Sequence, residues 1–348
     1  MTGGLAAALL PAVRRSGVVW FGSSGRRRRI APGTTPLIQI ESYGRGTLAT
    51  VDVPDQHYTR FYEGFANSAL WPILHSRLDL ARACHEDYAS YCEINAYMAR
   101  MLATFVKSES RFWVHDYHFL PLGRELRKLG MVREIGFFLH TPWPNRSVIA
   151  ALPQHRELAE AMLAYDLIGF QTDQDRANFA DLLRNDLRIP SWGSAFRTRA
   201  GTCRLATFPI GIDAQDFADR AQKATADPEV RRLRASLTGA QLIIGVDRID
   251  YSKGLIQRFR AMERLLTDFR NSSTGCRCCR SRCLRARRSK RIARCSMSSP
   301  RSWAKSMPST ARSTGVRSVT LQKGSANRPW PGSTGLQRSA WSRPCTTG

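Results

Sequence analysis

Phe112-Trp113-Val114-His115-Asp116-Tyr117-His118 is a short apolar run that stops abruptly at four polar or titratable residues. The pattern recurs. Residues 135–139 are apolar and lead into His140-Thr141-Pro142, residues 167–170 lead into Gln171-Thr172, and residues 242–246 lead into Asp247-Arg248. Continuous apolar runs of this length, bounded by polar or Gly/Pro residues, are how parallel strands covered on both faces read. Helical periodicity fills the intervals at 120–129, 158–165, 174–183 and 255–266. Alternation of strand and helix predicts an α/β chain built on a doubly wound parallel sheet. Ligands of such sheets bind beyond the carboxyl ends of the strands, where these polar residues fall.

A turn-rich break, Pro209-Ile210-Gly211-Ile212-Asp213, precedes a charged helical stretch and the fresh strand at Leu242. The expected organisation is a first domain over 1–220 and the start of a second Rossmann-like domain over 221–270. A basic tail over 271–348 is expected to be disordered. The net charge of +25 is distributed to match. The last 78 residues hold 17 Lys and Arg and no Asp or Glu, whereas the first 270 carry 36 basic and 28 acidic residues. Low hydrophobicity and charge of one sign do not support a packed core. Six of the nine cysteines also lie in the tail. The other three, Cys84, Cys92 and Cys203, are scattered, which predicts a cytoplasmic protein and not a disulfide framework. No apolar run has the length of a membrane span, and residues 5–13 lack the flanks of a signal peptide.

Several groups carry candidate chemistry. In Asp247-Arg248-Ile249-Asp250-Tyr251-Ser252-Lys253-Gly254, two cations five residues apart precede a helix start. That combination suits a diphosphate, although a surface Arg and Lys beside a helix read the same way. His115, Asp116 and His118 invite a metal reading, but zinc needs further ligands and none is evident, so a hydrogen-bonding turn fits equally. His140 alone reads as a turn histidine as readily as a catalyst. Tyr62 and Trp71 form either an aromatic wall for a sugar ring or part of the core. Gly3-Gly4 would let backbone approach a phosphate, a weak signal by itself.

Taken in order, Gly3-Gly4-Leu5, Val19-Trp20-Phe21-Gly22, Tyr62 through His75, Trp113 through His118, Gly136 through Pro144, Leu167 through Thr172, Pro209 through Asp213 and Val246 through Leu255 resemble the trehalose-6-phosphate synthase family. The resemblance covers roughly residues 3 to 267. It implies a GT-B arrangement of two facing domains. It also implies transfer of glucose from UDP-glucose to glucose 6-phosphate with retention, without metal or cofactor. By the same resemblance, Gly3, Gly4, His140, Arg248 and Lys253 would hold the donor. Tyr62, Trp71 and Asp116 would hold the acceptor. Asp116, His140, Arg248 and Lys253 would be the catalytic set. Membrane is not an expected partner, nucleic acid is not favoured, and a homo-oligomer is left open.

The sequence departs from the family pattern. The family's first strand and its Ser-Asn-Arg segment would precede Met1. Ser23 stands where the family has a tryptophan facing the acceptor, and Ala286 where it has the arginine of Pro-Ser-Arg. The acidic Asp-Gly-Met-Asn-Leu segment that closes over the donor does not occur. Translation out of frame accounts for the tail. Read from the third base of each codon, Cys278-Cys279 must give leucine, and 277–286 can read Leu-Leu-Gln-Val-Ala-Val-Pro-Ser-Arg. The expectation is therefore a family member shortened at its start, frameshifted after about residue 270, and impaired or inactive. The alternatives are a non-catalytic nucleotide-sugar-binding remnant and a nucleic-acid-binding protein acting through its basic tail. The tail lacks the aromatic interleaving of a stacking platform and the paired Cys-x-x-Cys spacing of a zinc site.

Overall fold

The computed structural model describes residues 4–29, 36–104, 110–198, 201–237, 241–248, 250–268, 276–283 and 319–321. They fall into two compact units, one through Gly211 and one from Ile212.

The first unit opens with a helix, Gly4–Arg15, followed by strands β1 (Val19–Arg28), β2 (Ile38–Tyr43) and β3 (Gly46–Pro54). These form a three-stranded sheet with β3 central, parallel to β1 and antiparallel to β2. The chain then runs into a helical stretch over 55–74 whose middle, Thr59–Leu70, is π-helical. The long helix His85–Ala103 packs against it. Gly64 makes the approach possible, because a Cβ there would stand 2.5 Å from the Asp87 carboxyl carbon.

The second sheet runs in the order β4 (Phe112–His115), β5 (Ile135–Phe138), β6 (Leu167–Phe170), β9 (Gly201–Thr207), β8 (Ala195–Thr198) and β7 (Ser191–Trp192). The pairs β4–β5, β5–β6 and β6–β9 are parallel. Helices Leu122–Lys128, His155–Met162 and Asp173–Asn185 alternate with them. The three apolar runs that predicted β4, β5 and β6 are the strands observed: Ile135, Phe137, Phe138, Ile168 and Phe170 are all at or below 5% exposure, whereas Trp113 on β4 and Leu167 at the start of β6 are exposed, at 61% and 37%. The antiparallel pair β7–β8 was not anticipated, because its residues show no alternation of apolar and polar character.

The second unit contains helices Ala214–Ala224 and Pro228–Leu237, strand β10 (Gln241–Arg248), a 3-10 turn at Tyr251–Lys253 and helix Leu255–Asp268. Strands β11 (Cys276–Cys283) and β12 (Val319–Leu321) extend β10 in parallel, with Gln241 opposite Cys276 and Arg248 opposite Cys283. These two strands fall inside the stretch read as a disordered tail; the rest of 271–348 lies outside the described residues. Ladder bonds use backbone groups, so a strand can form where side-chain periodicity gives no sign of one. Among the described residues of this unit only Met262 is buried, and Ile244 and Val246 on β10 are each 67% exposed. Among the described residues no helix is long and apolar enough to cross a membrane.

Candidate active site

In the first unit the site grows from the carboxyl ends of β4 and β5. Their parallel register sets His115 opposite Phe138. Asp116 follows, and its N–H donates to the Phe138 carbonyl at 2.8 Å. To make that turn Asp116 adopts φ 73° and ψ 165°, a region a side chain enters only at a cost of about 1–3 kcal/mol. Its carboxylate accepts the Tyr117 N–H at 3.0 Å and starts the 3-10 turn Tyr117–Phe119. Strain held at a strand end is a recurring mark of functional sites, and composition gives no sign of it.

The turn is clamped from behind. The Tyr91 hydroxyl, fully buried on helix His85–Ala103, donates to the Tyr117 carbonyl at 2.6 Å and accepts the Leu120 N–H at 3.2 Å. Asn95, one helical turn on, donates to the His118 carbonyl at 3.2 Å.

The helical stretch over 55–74 supplies the aromatic wall. Tyr62, 40% exposed, stacks on His118 with ring centroids 5.5 Å apart and 12° between planes. Tyr58 also stacks on Tyr62, at 5.6 Å, and the Arg27 guanidinium lies 4.5 Å from the Tyr58 ring. Trp71 packs on Tyr117 at 5.5 Å and on His75 at 4.1 Å. The Tyr117 hydroxyl donates to the Asn67 amide oxygen at 2.9 Å. Tyr62 and Asn67 both lie in the π-helical segment. Residues five apart face each other in it, and the Asn67 amide accordingly donates to the Tyr62 carbonyl at 2.7 Å. The two readings left open for Tyr62 and Trp71 therefore combine: both rings pack, and Tyr62 also faces solvent.

His140 sits just past β5, packed against Phe138 at 4.6 Å. Its Nε2 lies 3.1 Å from Nδ1 of His115. Burial lowers the pKa of each ring to about 4, and for His115 the neighbouring His140 adds to the effect. Both imidazoles are neutral at pH 7. No group of three or more His, Cys, Asp or Glu able to hold a metal occurs among the described residues.

Tyr62, Trp71, Asp116 and His140 thus meet through their neighbours at one end of the second sheet. Arg248 and Lys253 belong to the other unit. Arg248 ends β10, and Lys253 is exposed at the end of the 3-10 turn. Asp250 caps that turn by accepting the Ser252 N–H at 2.9 Å, and Gly254, at φ 59°, releases the chain into helix Leu255–Asp268. Arg258 ties the segment together, donating to Asp247 at 2.6 Å and to the Lys253 carbonyl at 2.8 Å. Gly4 is the first residue of its helix, and Gly3 lies outside the described residues. Asn67, His75 and Tyr91 were not singled out as site residues, and His118, weighed in the sequence as a metal ligand, instead stacks on Tyr62; the Trp71–His75 spacing of four is the one local signal for these contacts.

Two measurements bear on this geometry. Asp116→Gly relieves the strained backbone, whereas Asp116→Ala keeps the strain, and both lose the bond to Tyr117. The Gly variant is expected to be more stable than the Ala variant by about 1–2 kcal/mol in urea unfolding, even after the entropic cost of glycine. An Ala variant of equal stability would contradict the strain. The second concerns pH. A folded pKa of about 4 against an ordinary 6.5 means that the unfolded chain binds protons the folded one refuses. The resulting stability is present above about pH 6.5 and is lost as pH falls toward 4. The double variant His115→Phe, His140→Phe is expected to show a flatter fall of Tm across that window; equal slopes would rule out the histidine contribution.

The sequence pattern of glycosyltransferase family 20 matches residues 1–276. A trehalose-6-phosphate synthase of Sinorhizobium fredii is 41% identical over 273 residues, covering 76% of this chain and 57% of that protein. The chain thus spans somewhat over half the length of the relatives it matches. Among solved structures, an alpha,alpha-trehalose-phosphate synthase (UDP-forming) from Burkholderia vietnamiensis superposes with a TM-score of 0.80 at 34% identity, covering 87% of this chain and 65% of that one. The Burkholderia xenovorans enzyme in complex with glucose-6-phosphate gives 0.80 at 34% identity, over 85% and 65% of the two chains. The Escherichia coli protein bound with UDP-2-fluoro glucose gives 0.76 at 33%, over 84% and 64%. With the parallel α/β sheet already described and a family pattern that runs through most of its length, this chain belongs to glycosyltransferase family 20.

Proposed function

We propose that the protein carries the site for transfer of glucose from UDP-glucose to glucose 6-phosphate, the reaction of a trehalose-6-phosphate synthase, in a form impaired or inactive in this chain. The observation that carries this reading is the strained Asp116 flanked by the Tyr62–His118 and Trp71–Tyr117 aromatic pairs. Sugar rings present apolar faces and hydroxyl edges, and this arrangement offers a stacking surface beside a carboxylate acceptor. The names of the relatives support it, since they include a complex with glucose 6-phosphate and one with a UDP-glucose analogue.

In this reading residues 1–220 are the acceptor side and 221–270 begin the nucleotide-sugar side, with 271–348 an out-of-frame tail. Tyr62, Trp71 and Asp116 hold glucose 6-phosphate. Neutral His140 bonds a hydroxyl of the transferred glucose. Arg248 and Lys253 hold the diphosphate, and Gly3 and Gly4 lie against the donor. The bond from the donor's anomeric carbon to the diphosphate breaks, and a new bond forms to the acceptor's anomeric oxygen. The hydroxyl proton leaves with the UDP phosphate. The two cations stabilise the charge that develops on it. Among the described residues, Cys84, Cys92 and Cys203 are free thiols, which suits a cytoplasmic setting.

Calorimetric titration with glucose 6-phosphate tests the acceptor side. Trp71→Ala and Asp116→Asn are each expected to weaken binding about tenfold or more, the equivalent of one lost contact of about 1.4 kcal/mol. Unchanged affinity in both would overturn the assignment.

A further inference from the structure

The His115–His140 contact joins two neutral rings across adjacent strand ends, and each ring also packs against an aromatic neighbour. Trp113 packs on His115 with centroids 4.5 Å apart, and Phe138 packs on His140 at 4.6 Å. The N···N separation of 3.1 Å is a hydrogen-bond length. One proton lies between two nitrogens, so one ring donates and the other accepts. The choice dictates which nitrogen of each ring is left as a lone pair.

The two directions are not chemically equal. If Nε2–H of His140 donates to Nδ1 of His115, both rings carry their proton on Nε2, the form that a neutral histidine prefers in water. The opposite direction forces both rings into the less favoured Nδ1–H form. A doubly protonated pair would set two cations side by side in a site removed from water. Burial, which holds both groups neutral down to about pH 4, agrees with a single shared proton.

We infer that His115 is a positioning residue: it accepts the Nε2–H of His140, locks that ring in one tautomer, and leaves Nδ1 of His140 as an acceptor for a sugar hydroxyl. The last clause rests on the glucosyl-transfer reading; the pairing itself does not. An unlocked ring would present a donor part of the time, and a hydroxyl bound as donor would then face a second N–H. The effect on the proposed reaction would be on orientation, through His140, without contact between His115 and the substrate.

The test is nitrogen-15 NMR of the full chain labelled in its histidine rings, read at pH 7 through long-range proton–nitrogen correlations. The expected result is a His140 ring protonated at Nε2 and bare at Nδ1. His115→Phe removes the acceptor and is expected to give His140 as a mixture of both tautomers. His115→Asn, whose side-chain carbonyl accepts an N–H, is expected to restore the single form, which separates positioning from simple packing. A His140 ring protonated at Nδ1 in the native chain, or one unchanged by His115→Phe, would overturn the inference. These spectra need no ligand. UDP-glucose at saturating concentration that left the His140 resonances unmoved would count against the functional reading and not against the pairing.

Discussion

Purified protein of this sequence, supplied with UDP-glucose and glucose 6-phosphate, is expected to release UDP at a rate orders of magnitude below one per second. The acceptor phosphate is a dianion and needs fixed cationic partners. Ala286 stands where the family resemblance implies an arginine for that phosphate, and Ser23 where it implies a tryptophan facing the acceptor. Losing one partner of a charged contact costs about 2–5 kcal/mol, which is about thirty- to several-thousand-fold in rate at roughly tenfold per 1.4 kcal/mol. Turnover of about one per second or faster, the ordinary range for enzymes, would show that other groups rebuild the site. UDP-glucose binding without turnover would instead support the non-catalytic reading, and Lys253→Ala should then abolish it.

Tyr91→Ala is expected to cost more than about 5 kcal/mol, enough to unfold a domain of ordinary stability. Removing a buried aromatic ring costs about 3–5 kcal/mol through lost contacts and the cavity left behind. Tyr91 is fully buried and its ring packs against Phe61 at 5.8 Å and Phe65 at 4.8 Å. The hydroxyl adds a second loss, because the Tyr117 carbonyl and the Leu120 N–H would each lose a buried partner, at about 1–3 kcal/mol apiece. Tyr91→Phe separates the two. It keeps the ring and is expected to cost about 2–6 kcal/mol, the polar share alone. Its damage should be local: the turn at Tyr117–Phe119, together with Asp116, loses its anchor. Urea unfolding of both variants, with amide exchange at residues 116–120 of Tyr91→Phe, checks this. Exchange there no faster than in the native chain would show that the turn is held by other contacts, Asn95 among them.

The parallel strands of the second sheet were legible because their burial is written locally. A largely buried strand is apolar along a continuous run, so 112–114, 135–139 and 167–170 stand out without knowledge of their neighbours, even though Trp113 and Leu167 are exposed. The helix start after Gly254 was legible for a similar reason, since the turn there needs a positive φ and glycine supplies it. Spacing and order of motifs carried the family, which needs many short matches in sequence and no contact between them. What the sequence could not hold is anything set by residues far apart in the chain. Tyr91 anchors a turn 26 positions away, and Asn67 meets Tyr117 across 50. The strain at Asp116 exists because β5 and helix His85–Ala103 together overdetermine one backbone angle. His115 and His140, separately ambiguous as ligand, catalyst or turn residue, became a pair when the register of β4 and β5 brought two strand ends together and burial removed their charge. Local composition determined which residues end up inside; the packing of distant elements decided which of the remaining polar groups face one another, because that depends on geometry no single stretch of chain contains.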